Sequence, residues 1–294
     1  MKVMITGGWG FVGRYTARLL GYRDEVLELV DPKHPNQNLH SSITNREYMR
    51  EKLRDVDYVI HLGAASGSLQ FNPPFDGCHT NCMGTLILLE EALKAGVKKI
   101  IFSTTGSSYA DTPVPHKEDN QLNVPNFYTA SKIFNEHSIR LYKELYGLDY
   151  VILRYASVYG PKENKGPLCN VVSQFYVSMK KGQPPVIYGD GGQTRDFIFV
   201  KDVAAANIFA MDSLSNDTFN VGTGIATSFN DVVRTINKVL NTDIKPTYGT
   251  YSTPVQKKYV SEQLFDNSKL ISKGFRIGYT LEEGIREYGE ATNN

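Results

Sequence analysis

The first thirteen residues constrain the fold more than any other stretch of the chain. A β-rich run, Lys2–Thr6, leads directly into three glycines in a G-x-x-G-x-x-G pattern, Gly7, Gly10 and Gly13, and apolar residues at helical spacing follow at once. A strand, a glycine turn and a helix in this order point backbone N–H groups and a helix N-terminus at a phosphate. The pattern therefore predicts a phosphate-binding turn, with an ordinary glycine-rich turn as the alternative.

The second predicted strand, Glu25–Asp31, ends in a carboxylate. A carboxylate at the end of this strand can accept hydrogen bonds from the adenosine ribose hydroxyls, and it repels a 2′-phosphate. Asp31 therefore favours NAD over NADP, although Lys33 nearby weakens this inference.

Strands and helices continue to alternate as far as the middle of the chain. Further strands are predicted at Asp57–Leu62, Lys98–Ser103 and Asp149–Arg154, and an amphipathic helix at Asn81–Ala95 ends before a glycine. This alternation predicts an α/β fold with a Rossmann-like, doubly wound parallel sheet.

Small residues follow the third strand and allow a nucleotide to lie close to the backbone. They are Gly63, Ala64, Ala65 and Ser66. His61, at the end of the strand itself, is expected to pack there rather than to act in catalysis.

Tyr128 and Lys132 are spaced four residues apart in a predicted helix that ends near Tyr146. Residues at this spacing lie on one helix face, so the phenol and the ammonium would share a cleft. A phenol that accepts a proton at pH 7 needs roughly 4 kcal/mol of help. One ammonium about 5 Å away, at an effective dielectric of about 20, supplies roughly 3 kcal/mol. We therefore expect Lys132 to lower the pKa of Tyr128.

Hydroxyl residues follow the fourth strand in the run Thr104–Ser108. Ligands of open parallel sheets bind at the carboxyl ends of strands, so these hydroxyls are expected to border the site. A loop that only caps a helix is the alternative.

The alternation breaks at Tyr159–Pro161. We predict a Rossmann domain at residues 1–160 plus about 189–222, and a smaller, mostly helical substrate-binding cap at 161–188 and 223–294. Val186–Val200 is predicted to form a strand, a turn and a strand. Arg195 in this segment suits a bidentate contact with an anion, and a structural Arg195–Asp196 pair is the alternative.

Composition excludes several classes of protein. The 32 Lys and Arg residues balance 31 Asp and Glu residues, so no excess charge points to nucleic acid or an anionic membrane. No apolar run reaches membrane-spanning length, and Met1-Lys2 leads straight into a strand pattern, so the expected location is the cytoplasm. Cys78, Cys82 and Cys169 have neither disulfide-framework nor metal-site spacing, and no metal is expected.

Taken together, the motifs occur in a fixed order that covers nearly the whole chain. They are Thr6-Gly7-Gly8-x-Gly10-Phe11-x-Gly13, Asp31, His61-Leu62-x-Ala64-Ala65, Asn81-x-x-Gly84-Thr85, Ser103-Thr104-Thr105-x-x-x-Tyr109, Tyr128-x-x-x-Lys132, Leu153-Arg154-Tyr155, Val158-Tyr159-Gly160-Pro161, Tyr188-Gly189-Asp190-Gly191 and Arg195-Asp196-Phe197. The chain resembles extended short-chain dehydrogenases/reductases of the nucleotide-sugar epimerase/dehydratase branch, and it is most similar to UDP-hexose (UDP-glucose) 4-epimerases.

The resemblance implies a role for each matching residue. Thr105, Tyr128 and Lys132 would be catalytic, with Tyr128 as the acid/base and Lys132 on the nicotinamide ribose. The residues implied to hold NAD are Gly7, Gly10, Phe11, Val12, Asp31, Ser42, Ile43, Leu62, Gly63, Ala64, Asn81, Tyr128, Lys132 and Tyr155. The residues implied to bind substrate are Ser66, Thr105, Ser107, Tyr128, Ser157, Asn170, Tyr188 and Arg195.

Departures from the family pattern narrow the expected chemistry. Dehydratases carry an Asp-Glu pair directly after the catalytic Thr, whereas Gly106-Ser107 follows Thr105 here, so 4,6-dehydration is disfavoured. Ser107 also replaces the Glu of a related decarboxylase pattern. Two changes weaken the hexose 4-epimerase assignment: Ser157 replaces an Asn that contacts the diphosphate, and Gln256–Lys258 replaces a segment that begins with Arg.

The resemblance thus implies NAD-dependent epimerisation of a nucleotide-diphosphate sugar, most similar to UDP-hexose 4-epimerisation. The sugar would be oxidised transiently to a keto-sugar, and the hydride would then return. The alternatives are an NAD-dependent dehydrogenase or ketoreductase of the same family, and a catalytically silent dinucleotide-binding protein. A homodimer is expected through the helix Asn81–Ala95 and the Tyr128 helix, on the apolar positions Leu86, Leu89, Leu93, Phe134 and Ile139.

Overall fold

The computed structural model describes residues 1–23, 26–31, 42–66, 74–163, 169–250 and 262–293. The strands are β1 Lys2–Thr6, β2 Val26–Val30, β3 Tyr58–His61, β4 Lys99–Thr105, β5 Asp149–Tyr155, β6 Ser157–Tyr159, β7 Val186–Tyr188, β8 Thr194–Phe199, β9 Asp217–Val221, β10 Ala226–Ser228 and β11 Thr247–Gly249. The helices are α1 Phe11–Gly21, α2 Arg46–Lys52, α3 Phe75–Cys78, α4 Gly84–Ala95, α5 Phe127–Tyr146, α6 Val171–Lys180, α7 Val200–Ser213, α8 Phe229–Leu240, α9 Ser268–Ser272 and α10 Leu281–Asn293.

Six strands form the central sheet in the order β2-β1-β3-β4-β5-β9. The pairs β1–β2, β1–β3, β3–β4 and β4–β5 are parallel, which confirms the predicted α/β fold with a parallel sheet. The strand order reverses at β1, because β2 lies on one side of it and β3 on the other. Ligands of open α/β sheets bind at the carboxyl ends of the strands where the order reverses. Here those ends are followed by Gly7 and Leu62.

Helix α4 begins later than the sequence pattern predicts. A π-helical turn, His79–Met83, separates it from α3, so the predicted helix Asn81–Ala95 is a regular α-helix only from Gly84. π-Helical turns insert an extra residue and occur often at functional sites. The predicted end is confirmed, because Gly96 adopts a left-handed conformation with φ of 74°.

Helix α5 carries Tyr128 and Lys132 in its first two turns. Asn126 caps its N-terminus by accepting a hydrogen bond from the Thr129 N–H at 2.9 Å. Gly147 ends the helix in the left-handed region, with φ of 78°. Local sequence therefore sets both ends of this helix.

The chain divides into two compact units. The first contains Met1–Ala110, Gln121–Tyr155 and Val203–Phe219, and the second contains Asp111–Asn120, Ala156–Asp202 and Asn220–Asn294. Strands β10, β8 and β6 form one small sheet, while β7 pairs with β11 in another. The two strands predicted within Val186–Val200 are present as β7 and β8, but they belong to different sheets. No helix of the described ranges is both long and apolar enough to cross a membrane.

A buried ion pair joins α5 to the sheet. The Arg154 guanidinium on β5 donates to both carboxylate oxygens of Glu136, at 3.1 and 2.7 Å, and to the Tyr109 hydroxyl at 2.8 Å. Arg140 donates to the same carboxylate at 3.0 Å. Burial acts to raise the pKa of Glu136, but the hydrogen bonds and charges of the two arginines outweigh it and lower that pKa. This pair lies one helical turn beyond Lys132.

Removing one member of this buried pair should destabilise the protein strongly, because the other charge stays buried after losing the opposite charge that offsets it. We expect Glu136→Leu to lower the free energy of unfolding by about 3–5 kcal/mol. Asp243→Ala is the matched control, since its partner Lys245 and Asp243 itself are 77% and 81% exposed, and it should cost less than about 1 kcal/mol. Urea unfolding followed by circular dichroism measures both. Equal losses in the two variants would contradict this account of α5.

Candidate active site

The glycine turn after β1 packs so closely that side chains are excluded. Gly7 has a positive φ of 68°, and a Cβ on it would lie 2.8 Å from the Gly63 nitrogen. A Cβ on Gly10 would lie 2.9 Å from the Gly7 carbonyl oxygen, and one on Gly13 would overlap that same oxygen. Glycine is therefore required for steric reasons, and the turn leaves its backbone open to a ligand at the N-terminus of α1. A dinucleotide diphosphate fits this cradle.

Asp31 is tied to the turn by a bond that the sequence did not reveal. Its carboxylate accepts a hydrogen bond from the Trp9 backbone N–H at 3.1 Å, and its side chain is buried. The bond places a carboxylate beside the glycine turn, as a ribose-binding role requires. Phe11 and Val12 begin α1 directly after the turn.

Ser42 and Ile43 were expected beside the adenine; in the structure Ser42 makes a polar contact and Ile43 is a packing residue. The Ser42 hydroxyl is 2.9 Å from the Thr44 hydroxyl. Ile43 is buried, and a Cβ on Gly84 would lie 2.7 Å from its Cγ1 atom. Ile43 thus packs against the start of α4. Lys33, which bears on the choice between NAD and NADP, lies outside the described residues.

Asn81 uses its buried amide to hold the β3 loop onto α5. Its oxygen accepts from the Ala65 N–H at 2.8 Å, and its nitrogen donates to the Ala65 carbonyl at 3.1 Å and to the Ser131 hydroxyl at 2.9 Å. The Gly63 N–H donates to the Thr6 hydroxyl at 3.0 Å. The loop that carries Leu62, Gly63 and Ala64 is therefore fixed at both ends.

His61 packs at the end of β3, as predicted. Its Nδ1 lies 2.6 Å from the Thr6 hydroxyl and its Nε2 lies 2.9 Å from the Thr85 hydroxyl. Burial, with a smaller contribution from the Lys132 charge, lowers the pKa of His61 to about 3. The imidazole is therefore neutral at physiological pH.

Lys132 places a buried ammonium at the carboxyl end of β4. Its side chain is 3% exposed, and its Nζ donates to the Ser103 carbonyl at 3.0 Å. The same nitrogen lies 4.8 Å from the centre of the Phe102 ring. Burial lowers the pKa of Lys132 to about 8, against an opposing effect of the Glu136 carboxylate. Sequence reasoning missed Phe102 and Ser103, since nothing in a strand pattern shows which residue lies under a lysine.

The pKa of Tyr128 shifts in the opposite direction to the sequence expectation. Burial raises it to about 12. For the chain by itself the expected lowering is not found, because withdrawing the phenolate from water disfavours the charged form. At neutral pH this phenol is protonated.

Thr105 ends β4 and organises the loop after it. Its Oγ1 accepts from the Ser107 N–H at 3.1 Å and donates to the Ser107 hydroxyl at 3.1 Å, so it caps the 3₁₀ turn Gly106–Tyr109. Ser107 is exposed, and so is Ser66 after β3. The loop therefore does cap a short helix, as the alternative interpretation proposed. The same Thr105 hydroxyl also lies at the end of β4, two residues after Ser103, whose carbonyl accepts from Lys132.

Tyr155 joins β5 to two helices. Its hydroxyl donates to the Asn207 Oδ1 at 2.5 Å, and the Asn207 amide nitrogen donates to the Thr16 hydroxyl on α1 at 3.2 Å. Burial raises the pKa of Tyr155. Asn207 was missed from the sequence, although an asparagine within the apolar stretch Ala204–Ala210 was the available signal.

The remaining predicted substrate residues lie in the second unit. The Ser157 hydroxyl donates to Gln263 at 3.0 Å, and Asn170 caps α6 through the Val172 N–H at 3.0 Å. Tyr188 is 46% exposed. The segment Gln256–Lys258 lies outside the described residues.

Arg195 does not pair with Asp196, so the structural alternative proposed for it was wrong. The buried Asp196 carboxylate accepts instead from the Thr223 N–H and hydroxyl, each at 2.7 Å, and from the Gly224 N–H at 3.0 Å. The Arg195 guanidinium donates to the Thr194 carbonyl at 2.7 Å and lies 5.8 Å from the centre of the Phe229 ring.

Within the described residues, no group of three His, Cys, Asp or Glu side chains could hold a metal ion. Cys78, Cys82 and Cys169 are reduced thiols. Burial raises the pKa of Cys82 to about 11.

Comparisons with known proteins agree with this geometry. The model of the NAD dependent epimerase/dehydratase family matches residues 3–222. A UDP-glucose 4-epimerase of Mycolicibacterium smegmatis is 32% identical over 100% of this chain and 99% of its own. A Thermotoga maritima UDP-glucose 4-epimerase solved with UDP-glucose is 31% identical, with a TM-score of 0.91 over 100% of this chain and 99% of that one.

The cofactor also appears in a solved structure. A Thermus thermophilus UDP-glucose 4-epimerase in complex with NAD is 27% identical, with a TM-score of 0.87 over 100% of this chain and 99% of that one. The family model covers most of the chain, including the glycine turn, Asp31, Tyr128 and Lys132. This chain belongs to the NAD-dependent epimerase/dehydratase family, and its cofactor is NAD.

Proposed function

We propose that this protein epimerises a nucleotide-diphosphate sugar by the UDP-hexose 4-epimerase type of reaction. The observation that carries the proposal is the buried Lys132 ammonium at the end of β4, one helical turn from Tyr128 and next to the strand that ends in Thr105. This group lies in the same unit as the glycine cradle. The similarity to UDP-glucose 4-epimerases supports a UDP-sugar as the substrate. A cytoplasmic location stays a prediction from the sequence.

Bound NAD supplies the acceptor and the donor of a hydride. Gly7, Gly10 and Asp31 would hold its diphosphate and ribose ends, and Lys132 would hold the nicotinamide ribose. Tyr128 accepts the proton of the sugar hydroxyl in the oxidising half-reaction and returns it in the reducing half. The Thr105 hydroxyl orients the same sugar oxygen.

Charge decides whether Tyr128 can act as the base. Burial holds the pKa of Tyr128 near 12 and that of Lys132 near 8, so the chain by itself favours a neutral phenol. A further positive charge near the phenol, such as an oxidised nicotinamide, lowers that pKa. Tyr128 would therefore give up its proton more readily with oxidised NAD bound than in the chain by itself.

Polar and charged residues that match the family's substrate-binding positions are the proposed substrate contacts. Arg195 carries the positive charge suited to a diphosphate, with a planar guanidinium that favours two-point contact. By the family resemblance, we propose that Ser66, Ser107, Ser157, Asn170 and Tyr188 would supply polar contacts to the substrate.

Elimination of water and net redox turnover are the two reactions that compete with epimerisation as the proposed activity. No carboxylate follows Thr105 in the turn Gly106–Tyr109, so elimination of water lacks its acid and base. We expect purified enzyme with UDP-glucose to form UDP-galactose without a rise in absorbance at 340 nm, as measured by proton NMR and spectrophotometry. Steady accumulation of NADH would instead identify a dehydrogenase, and no turnover of any UDP-sugar would indicate a silent NAD-binding protein.

Tyr128→Phe should reduce turnover by about 10²–10⁴-fold, which is the usual contribution of general acid–base catalysis. Thr105→Val should reduce it about a hundredfold. Bound NAD, released by denaturation and quantified, should remain at the wild-type level in both variants. Tyr146→Phe, at the exposed far end of the same helix, is the control and should keep full activity. Near-native turnover in Tyr128→Phe would exclude the phenol as the base.

Asp31 should control the choice between NAD and NADP. Hydrogen bonds to a charged group are worth about 1.5–3 kcal/mol, so Asp31→Asn should weaken NAD binding about 10- to 100-fold and narrow the preference over NADP. Asp119→Asn, at an exposed position, is the control. Isothermal titration calorimetry on cofactor-free protein measures both. Unchanged NAD affinity in Asp31→Asn would rule out the ribose contact.

We also infer a homodimer through α5. Phe134, Leu141 and Leu145 are 43, 51 and 63% exposed, and their spacing of seven and four residues places them on one helix face. Two positions named from the sequence do not contribute, because Leu89 and Ile139 are buried in the core beneath the helices. An exposed apolar stripe of this kind is commonly covered by a second subunit.

Leu141→Glu should therefore dissociate the dimer, since it places a carboxylate in an apolar contact. Sedimentation at micromolar concentration should give about twice the chain mass for the wild type and the chain mass for this variant. Val177→Glu, 44% exposed on helix α6, is the control and should remain dimeric. A wild-type protein that sediments as a monomer would refute the inference.

A further inference from the structure

The ammonium of Lys132 is buried with unusually little polar compensation. Among the described residues its one hydrogen-bond acceptor is the Ser103 carbonyl, at 3.0 Å. The other group that its charge meets at short range is the face of the Phe102 ring, with the ring centre 4.8 Å from Nζ. Lys132 is 3% exposed and Phe102 is fully buried, so water does not screen this contact.

The neighbouring titratable groups that the structure describes do not pair with the Lys132 ammonium. Glu136, on the same helix, is engaged by Arg154 from β5 and by Arg140. His61 on β3 is neutral, and the Tyr128 phenol is protonated. Burial remains the largest influence on Lys132 and acts against its charge.

The Phe102 ring also contacts a residue of the neighbouring strand β3. The His61 imidazole lies 5.5 Å from the Phe102 ring centre at an interplanar angle of 41°. His61 is itself fixed between the Thr6 and Thr85 hydroxyls. A line of contacts therefore runs from β1 through β3 and β4 to the lysine on α5.

A cation over an aromatic face is attracted to the negative centre of the ring, and the attraction strengthens when water is absent. We propose that Phe102 is a positioning residue for the reaction, and that the face of its ring holds the Lys132 ammonium charged and in place. The inference rests on the proposed function only where it gives Lys132 a part in turnover. The contact itself is a property of the folded chain.

The sign of the expected effect follows from which form the ring stabilises. The ring favours the charged lysine, so a weaker ring lowers the pKa of Lys132 further below about 8. Less of the lysine is then charged between pH 7 and 8. Since the proposed function needs Lys132 charged, the alkaline limb of the activity profile is expected to move to lower pH as well.

Fluorination of the Phe102 ring tests the contact, because it changes the charge on the ring face while nearly preserving the shape of the side chain. Phe102 is replaced through an amber codon by 4-fluoro-, 3,5-difluoro- and 3,4,5-trifluorophenylalanine, which progressively remove the negative charge from the ring face. The pKa of Lys132 is read from carbon NMR of the protein labelled with lysine carrying carbon-13 at Cε, the signal being assigned with Lys132→Met. We expect the pKa to fall in steps, by about one unit with three fluorines.

Phe199 provides the matched control. It is buried against Tyr159 and Tyr279, so the same three fluorines there should leave the Lys132 titration unchanged. Phe102→Leu should lower the Lys132 pKa at least as far as the trifluoro ring. A trifluoro variant at position 102 with wild-type melting temperature and an unshifted Lys132 pKa would overturn the proposal. Because the titration needs no substrate, a failure to epimerise any UDP-sugar would refute the proposed function and leave this result standing.

Discussion

The packing of α5 against β4 and β5 is the contact on which the candidate active site depends. Two contacts, made by residues one helical turn apart on α5, fix this packing. Lys132 donates to the Ser103 carbonyl on β4, and the Glu136 carboxylate accepts from Arg154 on β5. A third bond, from Asn81 to Ser131, adds the loop after β3. Since these partners are buried, the helix cannot rotate without leaving a charge or an amide unpaired, which is costly in a low-dielectric interior. Tyr128 and Lys132 are thereby held at a fixed orientation to the strand ends.

The same burial that fixes this geometry works against the charges that catalysis requires. It raises the pKa of Tyr128 and lowers that of Lys132. The phenol therefore keeps its proton, and the ammonium loses its proton more easily. Few neighbouring groups offset the effect of burial on the Lys132 pKa. The ammonium contacts the Ser103 carbonyl and the Phe102 ring, while the Glu136 carboxylate is paired with arginines. A site built in this way responds strongly to charge that arrives with a ligand, because water is not there to screen it.

Local patterns predicted the elements well and their partners less well. The end of β1, the glycine turn, the end of α5 and the cap at Gly96 were predicted from short stretches of sequence, because steric and capping rules act over a few residues. Strands β7 and β8 were found where expected, yet they pair with distant strands rather than with each other. Asp196 likewise bonds to a loop some 27 residues away and not to its neighbour Arg195.

The sequence by itself determined the fold class, the cofactor cradle and the candidate catalytic pair, because glycine spacing, strand-helix alternation and an i, i+4 pair are each readable over short distances. Tertiary structure alone decided what surrounds those groups. It placed Phe102 under Lys132, the Trp9 N–H on Asp31 and Asn207 on Tyr155, and it reversed the expected shift of the Tyr128 pKa. The physical reason is that desolvation and long-range contacts depend on which segments pack together, and a linear pattern of residues does not carry that information.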